Sequence, residues 1–409
     1  MVLNTEAVAA IQRKFGEKRA EKSKIGLLIL TLALTVVVFI TTALFVYYGM
    51  QVRNLKRKAR AIERVFANIE KPGAEFRPLI GKLTIPAQLQ TTPMGEKTGL
   101  VLGTKTIEVR NVVAPYNPSM IEHEGGYLLF FRYDILKQDC PHDFYTSIGC
   151  CWLDANFEQT EKEFTTIETG SRFSEDPRIV RVGSDLYLVF NDLQKEGSSH
   201  YRTMHVGKLN LKESKLEFST DLDLAIKPVE KNWVPFEHVK NGKPELYIEY
   251  YLNPQKVMRL PNPEENGLVH LRLPSLSTTH KIFWPHLWGQ PRGGATARFV
   301  DGQYLSFFHS FFNDSNGFPW YVMAAYTFEK EEPFRVTGIS HYPILFEGIY
   351  SSPHMNTADP KKRVIFPGSF TEGTQEGKEV LYVCCGENDC SIKLIIMDKQ
   401  VLFKSLKKL

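Results

Sequence analysis

A surplus of charge is the first thing this chain lacks. Its 50 Lys and Arg stand against 46 Asp and Glu, a formal net charge of +4 over 409 residues. That balance argues against the basic footprint of a nucleic-acid binder, and no nucleic-acid partner is expected. Low-complexity tracts and sustained heptads are absent too, which excludes a disordered scaffold and a coiled coil. No His/Cys cluster has zinc-site spacing, and no glycine-rich loop leads from a strand into a helix to cradle phosphate. Neither a metal nor an organic cofactor is expected. Cysteine is sparse: six, at 140, 150, 151, 384, 385 and 390. An even number in the C-terminal part suits disulfides in an oxidising lumen. Cys151, Cys384 and Cys385 suit equally well the role of small buried hydrophobes in strands.

Long hydrophobic runs are also scarce, with one exception. Ile25 to Tyr48 is uncharged and apolar over 24 residues. As a helix it would reach about 36 Å, enough to cross a bilayer with some tilt. A charged tail precedes it and no small-residue cleavage site follows, which favours an uncleaved signal anchor. Six basic residues before it (Arg13, Lys14, Lys18, Arg19, Lys22, Lys24) and six after it (Arg53, Lys56, Arg57, Lys58, Arg60, Arg64) leave the positive-inside rule silent. The placement of the cysteines and the sequon Asn313-Asp-Ser315 favour a luminal C-terminal part. The expected layout is a cytosolic tail over 1–24, a transmembrane anchor over 25–48, a stem and proline-broken linker over 49–103, and a catalytic domain over 104–409. That is a single-pass type II protein of the Golgi or endoplasmic reticulum.

Five short runs recur along the remainder: Tyr127-Leu-Leu-Phe-Phe131, Leu186-Tyr-Leu-Val-Phe190, Leu246-Tyr-Ile-Glu-Tyr250, Tyr304-Leu-Ser-Phe-Phe308 and Leu381-Tyr-Val-Cys-Cys385. Their starts are 59, 60, 58 and 77 residues apart, and each follows a glycine within a few residues. A tight turn feeding an aromatic, β-branched strand at near-constant spacing marks a repeated sheet unit. A unit of that size holds about four strands, the content of one propeller blade. The fold expected is all-β, a five-bladed β-propeller, closed by a short helix near Lys399. Propellers gather residues distant in sequence around one central hollow.

Polar residues enter or leave comparable strands in every unit. Phe173-Ser-Glu-Asp-Pro-Arg-Ile179 places Glu175, Asp176 and Arg178 ahead of the second run, with Pro177 directing Asp176 towards an extended conformation. Asn117-Pro-Ser119 precedes the first run, which ends in Arg132. Lys231 and Asn232 precede the third, Arg292-Gly-Gly294 precedes the fourth, which ends in His309, and Gly386-Glu-Asn-Asp389 follows the fifth. Each alone is as consistent with a strand-end turn as with a ligand contact. Asp221-Leu-Asp223 imitates a metal-binding acid pair but falls in a strand or turn, and is not taken as one.

In this order, Asn117-Pro-Ser, Arg132, Ser147-Ile-Gly149, Glu175-Asp-Pro-Arg-Ile179, Lys231-Asn232, the run ending in His309, and Cys385-Gly-Glu-Asn-Asp389 resemble the β-mannoside phosphorylases and the related β-1,2-mannosyltransferases. The resemblance covers about residues 104–400. It implies a five-bladed propeller and an inverting reaction, with Asp176 as general acid acting through a sugar hydroxyl. Lys231 would match a phosphate-contacting lysine and His309 a histidine on the same wall, while Arg132 and Arg178 would bind sugar hydroxyls or hold Asp176. Two places depart from the pattern. Glu249-Tyr250 stands where the family has a His-Arg pair, and Asn191-Asp192 is followed by Leu193-Gln-Lys195 where a basic cluster is expected.

Anchor, stem and sugar-type domain together give the layout of a secretory-pathway glycosyltransferase. The expected partners are a nucleotide sugar or sugar phosphate donor, a glycan acceptor, and the membrane through residues 25–48. Substrate binding is expected from Asn117, Arg132, Glu175, Arg178, Lys231, Asn232, Arg292, His309 and Asp389. A β-mannoside phosphorylase or glycoside hydrolase, and a non-catalytic glycan-binding propeller, are the alternatives.

Overall fold

The computed structural model describes residues 84–136, 144–171, 173–196, 199–221, 231–260, 275–277, 282–352 and 362–409, with scattered positions between 35 and 52. The chain divides into two compact units, Met1–Ile69 and Glu70–Leu409. In the first, the described positions are helical and exposed. No helix among the described residues is long and apolar enough to cross a membrane. Most of the apolar run 25–48, like the charged tail before it, lies outside the described residues.

The second unit is a five-bladed propeller. The first blade comprises Tyr116–His123, Gly126–Leu136, Phe144–Leu153 and Thr165–Thr166, from the axis outwards. The second comprises Glu175–Val182, Asp185–Glu196, Ser199–Asn210 and Lys215–Asp221, and the third Val234–Lys240, Lys243–Leu252, Gln255–Leu260 and Ser275–Ser277. In the fourth, Arg292–Gly293 and Arg298–Val300 both pair with Gln303–Asn313, followed by Pro319–Phe328, Val336–Ser340 and the C-terminal Leu406–Lys408. The fifth runs Ile365–Gln375, Lys378–Glu387 and Ser391–Asp398, and takes its outermost strand, Val101–Ile107, from the start of the propeller chain. Residues near the two ends of the propeller chain thus complete neighbouring blades, which fastens the ring.

Each aromatic run is the second strand of its blade, and the reason it reads as continuously apolar is now visible. Leu129 and Phe131 pack with Cys384 and Leu394 of the fifth blade, whereas Leu128 and Phe130 pack with Ile179 and Leu188 of the second. Successive side chains of a strand point to opposite faces, and here both faces are interior. Each such side chain, fully buried, contributes about 1.5–3 kcal/mol. Near the axis the inner strands approach so closely that only glycine fits: a Cβ at Gly368 would lie 1.6 Å from the Pro118 carbonyl oxygen. The longer fourth interval reflects residues 341–364, which cross from the fourth blade to the fifth.

Three expectations change. The described part of the stretch read as stem, residues 84–103, carries Leu89 and Leu100 into the propeller core. Strand structure begins at Val101, inside the stretch 49–103 read as stem and linker. Cys140 lies outside the described residues, whereas Cys150, Cys151, Cys384 and Cys385 are free and buried, so the disulfide reading fails for those four. They alternate into inter-blade cores, and burial pushes the Cys151 thiol up to about 12. A helix does close the chain, Lys399–Ser405, its first turn capped by the Asp398 carboxylate accepting from the Val401 N–H at 2.9 Å.

Glu249, one of the departures from the family pattern, sits inside the wall between the third and fourth blades. It accepts from Gln255 Nε2 at 2.7 Å and from the Tyr326 hydroxyl. Burial raises its carboxyl from 4.5 to about 7, against the two hydrogen bonds. The folded value exceeds the unfolded one, so its contribution is complete below about pH 4.5 and is lost as pH rises to about 7, roughly 3 kcal/mol in all. Glu249→Gln should remove that slope. Urea unfolding from pH 4.5 to 8 tests this: parallel curves for the two proteins would show that Glu249 does not titrate in this window.

Candidate active site

The site is built from one local device used twice. Inner strands of the first and second blades carry bulges between Tyr116 and Ser119 and between Glu175 and Arg178. The residues inside are Asn117-Pro118 and Asp176-Pro177, and Asn117 and Asp176 have φ of 47° and 54°. Asp176 is therefore left-handed, not extended as Pro177 alone suggests. The extra residue of a bulge must turn the strand, and Asn and Asp tolerate that region better than other non-glycine residues. Asn232 in the third blade has φ 68° as well.

The turn aims the Asp176 carboxylate, 4% exposed, at its neighbours. Oδ1 accepts from Asn117 Nδ2 at 2.7 Å and lies 3.6 Å from Arg132 Nη1. Burial would push this carboxyl up; Arg132, then Lys231 and Arg178, with the Asn117 bond, bring it down to about 2. Arg178 does not touch the carboxylate. Its Nη1 donates to the Asp176 carbonyl oxygen at 2.9 Å and its Nε to the Gly294 carbonyl at 2.7 Å, stitching the second blade to the fourth. The remaining nitrogen, Nη2, has no hydrogen-bond partner.

Glu175 is occupied rather than open. Its Oε1 bridges Arg132 Nη2 at 2.8 Å and Arg202 Nη2 at 2.6 Å. Arg202 also donates to Asn191 Oδ1 at 2.7 Å, and Asn191 Nδ2 to the Glu175 carbonyl oxygen at 3.2 Å. Arg202 was not foreseen. It comes from the third strand of the blade, opposite Leu193, and supplies a cation where the sequence after Asp176 seemed to lack one. On the other flank Arg132 lies 4.8 Å from the centre of the Tyr116 ring, whose hydroxyl donates to Asp134 Oδ1 at 3.1 Å.

Across the hollow stand groups without carboxylate partners. His309, 2% exposed, sits opposite Arg292 in the fourth blade, and its Nδ1 has no hydrogen-bond partner. Burial first, then Arg292, Arg178 and Lys231, holds this imidazole well below its ordinary range, so it is neutral. Lys231 is exposed, and neither it nor Arg292 makes an ion pair among the described residues. Arg292 instead rests 5.1 Å from the centre of the Phe311 ring. Asp389 is held by Lys362 at 2.6 Å, a residue sequence reasoning missed, and both feel the first-blade cluster of Arg132, Asp134 and Tyr116. Starts of inner strands and ends of second strands in all five blades thus meet at one end of the ring. An ionised carboxylate is fixed there, and among the described residues Lys231 and Arg292 have no carboxylate partner.

No protein-family model matches the sequence, and no curated protein matches it at a significant level. Among solved structures, the fold is similar to that of MPT-4, a mannose phosphorylase from Leishmania mexicana in complex with phosphate ion. The TM-score is 0.51 at 14% identity, over 77% of this chain and 93% of that one. The β-1,2-mannobiose phosphorylase of Listeria innocua gives 0.48 at 14% identity, over 76% and 97% of the two chains. MPT-1, a GDP-Man-dependent mannosyltransferase from Leishmania mexicana, gives 0.47 at 13% identity, over 74% and 92%. At such identities the first likeness establishes the fold, and the reaction has to be argued from the site.

Proposed function

We propose that the chain is a carbohydrate-active enzyme, and specifically an inverting glycosyltransferase that moves a sugar, β-mannosyl by resemblance, from a nucleotide sugar to a glycan hydroxyl. One observation carries the reading: the buried Asp176 carboxylate accepts from Asn117 Nδ2 at 2.7 Å and lies 3.6 Å from Arg132 Nη1. A carboxyl near 2 is ionised throughout the working range. That is the form that can accept a proton from an acceptor hydroxyl. Lys231, Arg292, the free Nη2 of Arg178 and neutral His309 can meet the charge that grows on a departing diphosphate. Arg132 holds the base ionised, and Glu175, shared with Arg202, holds Arg132.

A ligand that binds only the folded state at a hundred times its Kd stabilises by about 2.7 kcal/mol. The full chain should gain stability of that order with a saturating nucleoside diphosphate, and Lys231→Met should weaken the gain. Stabilisation by inorganic phosphate with a β-mannoside, and not by nucleotide, would favour a phosphorylase. Glycan binding with no turnover of any donor would leave a lectin.

The compartment belongs to the same proposal: residues 25–48 anchor the chain and the propeller lies in the lumen. Asn313 is an exposed strand end, followed by a turn in which Asp314 Oδ1 accepts from the N–H groups of Asn316 at 2.8 Å and Phe318 at 3.0 Å. In a luminal propeller Asn313 should carry a glycan, giving a gel shift that N-glycosidase removes and Asn313→Gln abolishes. A propeller digested by protease added to sealed microsomes would place it on the cytosolic side instead.

A further inference from the structure

A bulge leaves its extra residue outside the ladder, so strand pairing alone does not fix the Asp176 carboxylate. Neighbouring side chains must. In the second blade Glu175 faces Asn191, Asn191 faces Met204, and Leu193 faces Arg202. Arg202 is thus the diagonal neighbour of Asn191 on the same side of the sheet, a separation that a long side chain spans. Its guanidinium forks. Nη2 donates to Glu175 Oε1 at 2.6 Å, and Nη1 to Asn191 Oδ1 at 2.7 Å.

Each prong decides something about Asp176. A guanidinium only donates, so the Asn191 amide has to turn its oxygen to Arg202 and its NH2 group the other way. Nδ2 then donates to the Glu175 carbonyl oxygen at 3.2 Å, across the bulge, and to Asp176 Oδ2 at 3.5 Å. Asn191 is fully buried, which denies the amide a water-facing alternative. The second prong acts on the other carboxylate oxygen. Glu175 Oε1 also takes Arg132 Nη2 at 2.8 Å, and Arg132 Nη1 lies 3.6 Å from Asp176 Oδ1. Because Arg202 meets part of the demand of Glu175, Arg132 is shared between the two carboxylates rather than drawn onto one.

We propose that Arg202 is a positioning residue for Asp176: its two prongs orient the donor to Oδ2 through Asn191 and the cation beside Oδ1 through Glu175. The consequence for the reaction rests on the reading of Asp176 as the base, whereas the positioning itself does not. The other charged and titratable groups that act on Asp176 are Arg178 of its own blade, Lys231 ahead of the third and His309 of the fourth. Replacing Arg202 leaves these where they are.

Arg202→Gln should lower kcat about a hundredfold, the scale of a displaced reacting group, with KM for donor and acceptor nearly unchanged. It should also move the acid limb of the kcat profile up by about one pH unit, because a carboxylate that loses a donor and part of a cation is easier to protonate. A residue that merely supported the fold would not move that limb. Arg202→Lys should restore little, since one ammonium cannot hold two acceptors as a planar fork does. Urea unfolding supplies a readout that needs no turnover. A rise of about one unit takes up about half of the depression of the Asp176 carboxyl from 3.8 to about 2. Asp176→Asn should therefore cost about half as much stability in the Arg202→Gln protein as in the parent. An equal cost in both, with the acid limb unmoved, would overturn the proposal. Full turnover in Asp176→Asn would withdraw the base reading alone, and the unfolding comparison would still decide whether Arg202 positions the carboxylate.

Discussion

Replacing Asp176 by Asn should lower turnover by about 10²–10⁴-fold, the range for loss of a positioned proton acceptor, while the propeller stays folded. The structure contains the reason the fold should survive. Asn117 already occupies the same kind of bulge in the neighbouring blade, also before a proline and also left-handed. An Asn-Pro pair is thus compatible with this turn, and Arg132 keeps Glu175 at 2.8 Å. Some stability is lost with the charge. The folded carboxyl is depressed from 3.8 to about 2, so its contribution is present above about pH 4 and disappears as pH falls through about 2. At neutral pH the variant should therefore be weaker by about 2 kcal/mol. Initial rates with the best donor, beside urea unfolding of both proteins, separate the two effects. Turnover equal to that of the parent would remove Asp176 from the mechanism.

Much of this arrangement is legible in the sequence, because the propeller repeats a strongly apolar strand that is buried on both sides. The five runs locate five blades, and Glu175-Asp-Pro-Arg-Ile179 marks the residue that ends at the centre. What escaped depends on register. Arg202 reaches Glu175 only because Ser199–Asn210 pairs with Asp185–Glu196 so that position 202 faces 193, and nothing near Arg202 announces that pairing. Lys362 is similar: its partner Asp389 lies across a blade, 27 residues on. Val101–Ile107 straddles the boundary drawn at residue 104 between linker and catalytic domain, since the sequence does not show that a fifth blade will borrow its outer strand from the beginning. The conformation of Asp176 was misjudged for a different reason. The preference of a residue before proline is a local rule, and a bulge shared by two blades overrides it.

Lys393→Met should cost about 3–5 kcal/mol, the penalty for stranding one member of a buried ion pair. Glu387 is 1% exposed and its Oε1 accepts from Lys393 Nζ at 2.8 Å. The same ammonium donates to the Gly348 carbonyl oxygen at 2.8 Å and to Ser351 Oγ at 3.3 Å, and the Ser351 N–H donates to Glu387 Oε1 at 3.2 Å. Asn388, left-handed at φ 53°, continues the clasp by donating to the carbonyl oxygens of Tyr350 at 3.1 Å and Ser352 at 2.9 Å. Its Oδ1 accepts from the Val364 N–H at 3.0 Å, beside the Lys362–Asp389 pair on the rim of the hollow. The pair therefore locks residues 348–352 over the end of a strand and fixes where Asp389 stands. Adding Glu387→Gln to Lys393→Met removes the stranded charge, so the double variant should recover most of the lost stability; two additive losses in the double-variant cycle would mean that the pair is not coupled. If the lock also sets the rim, Lys393→Met should raise KM for the acceptor more than it lowers kcat, because Asp176 lies on another blade and keeps its own partners.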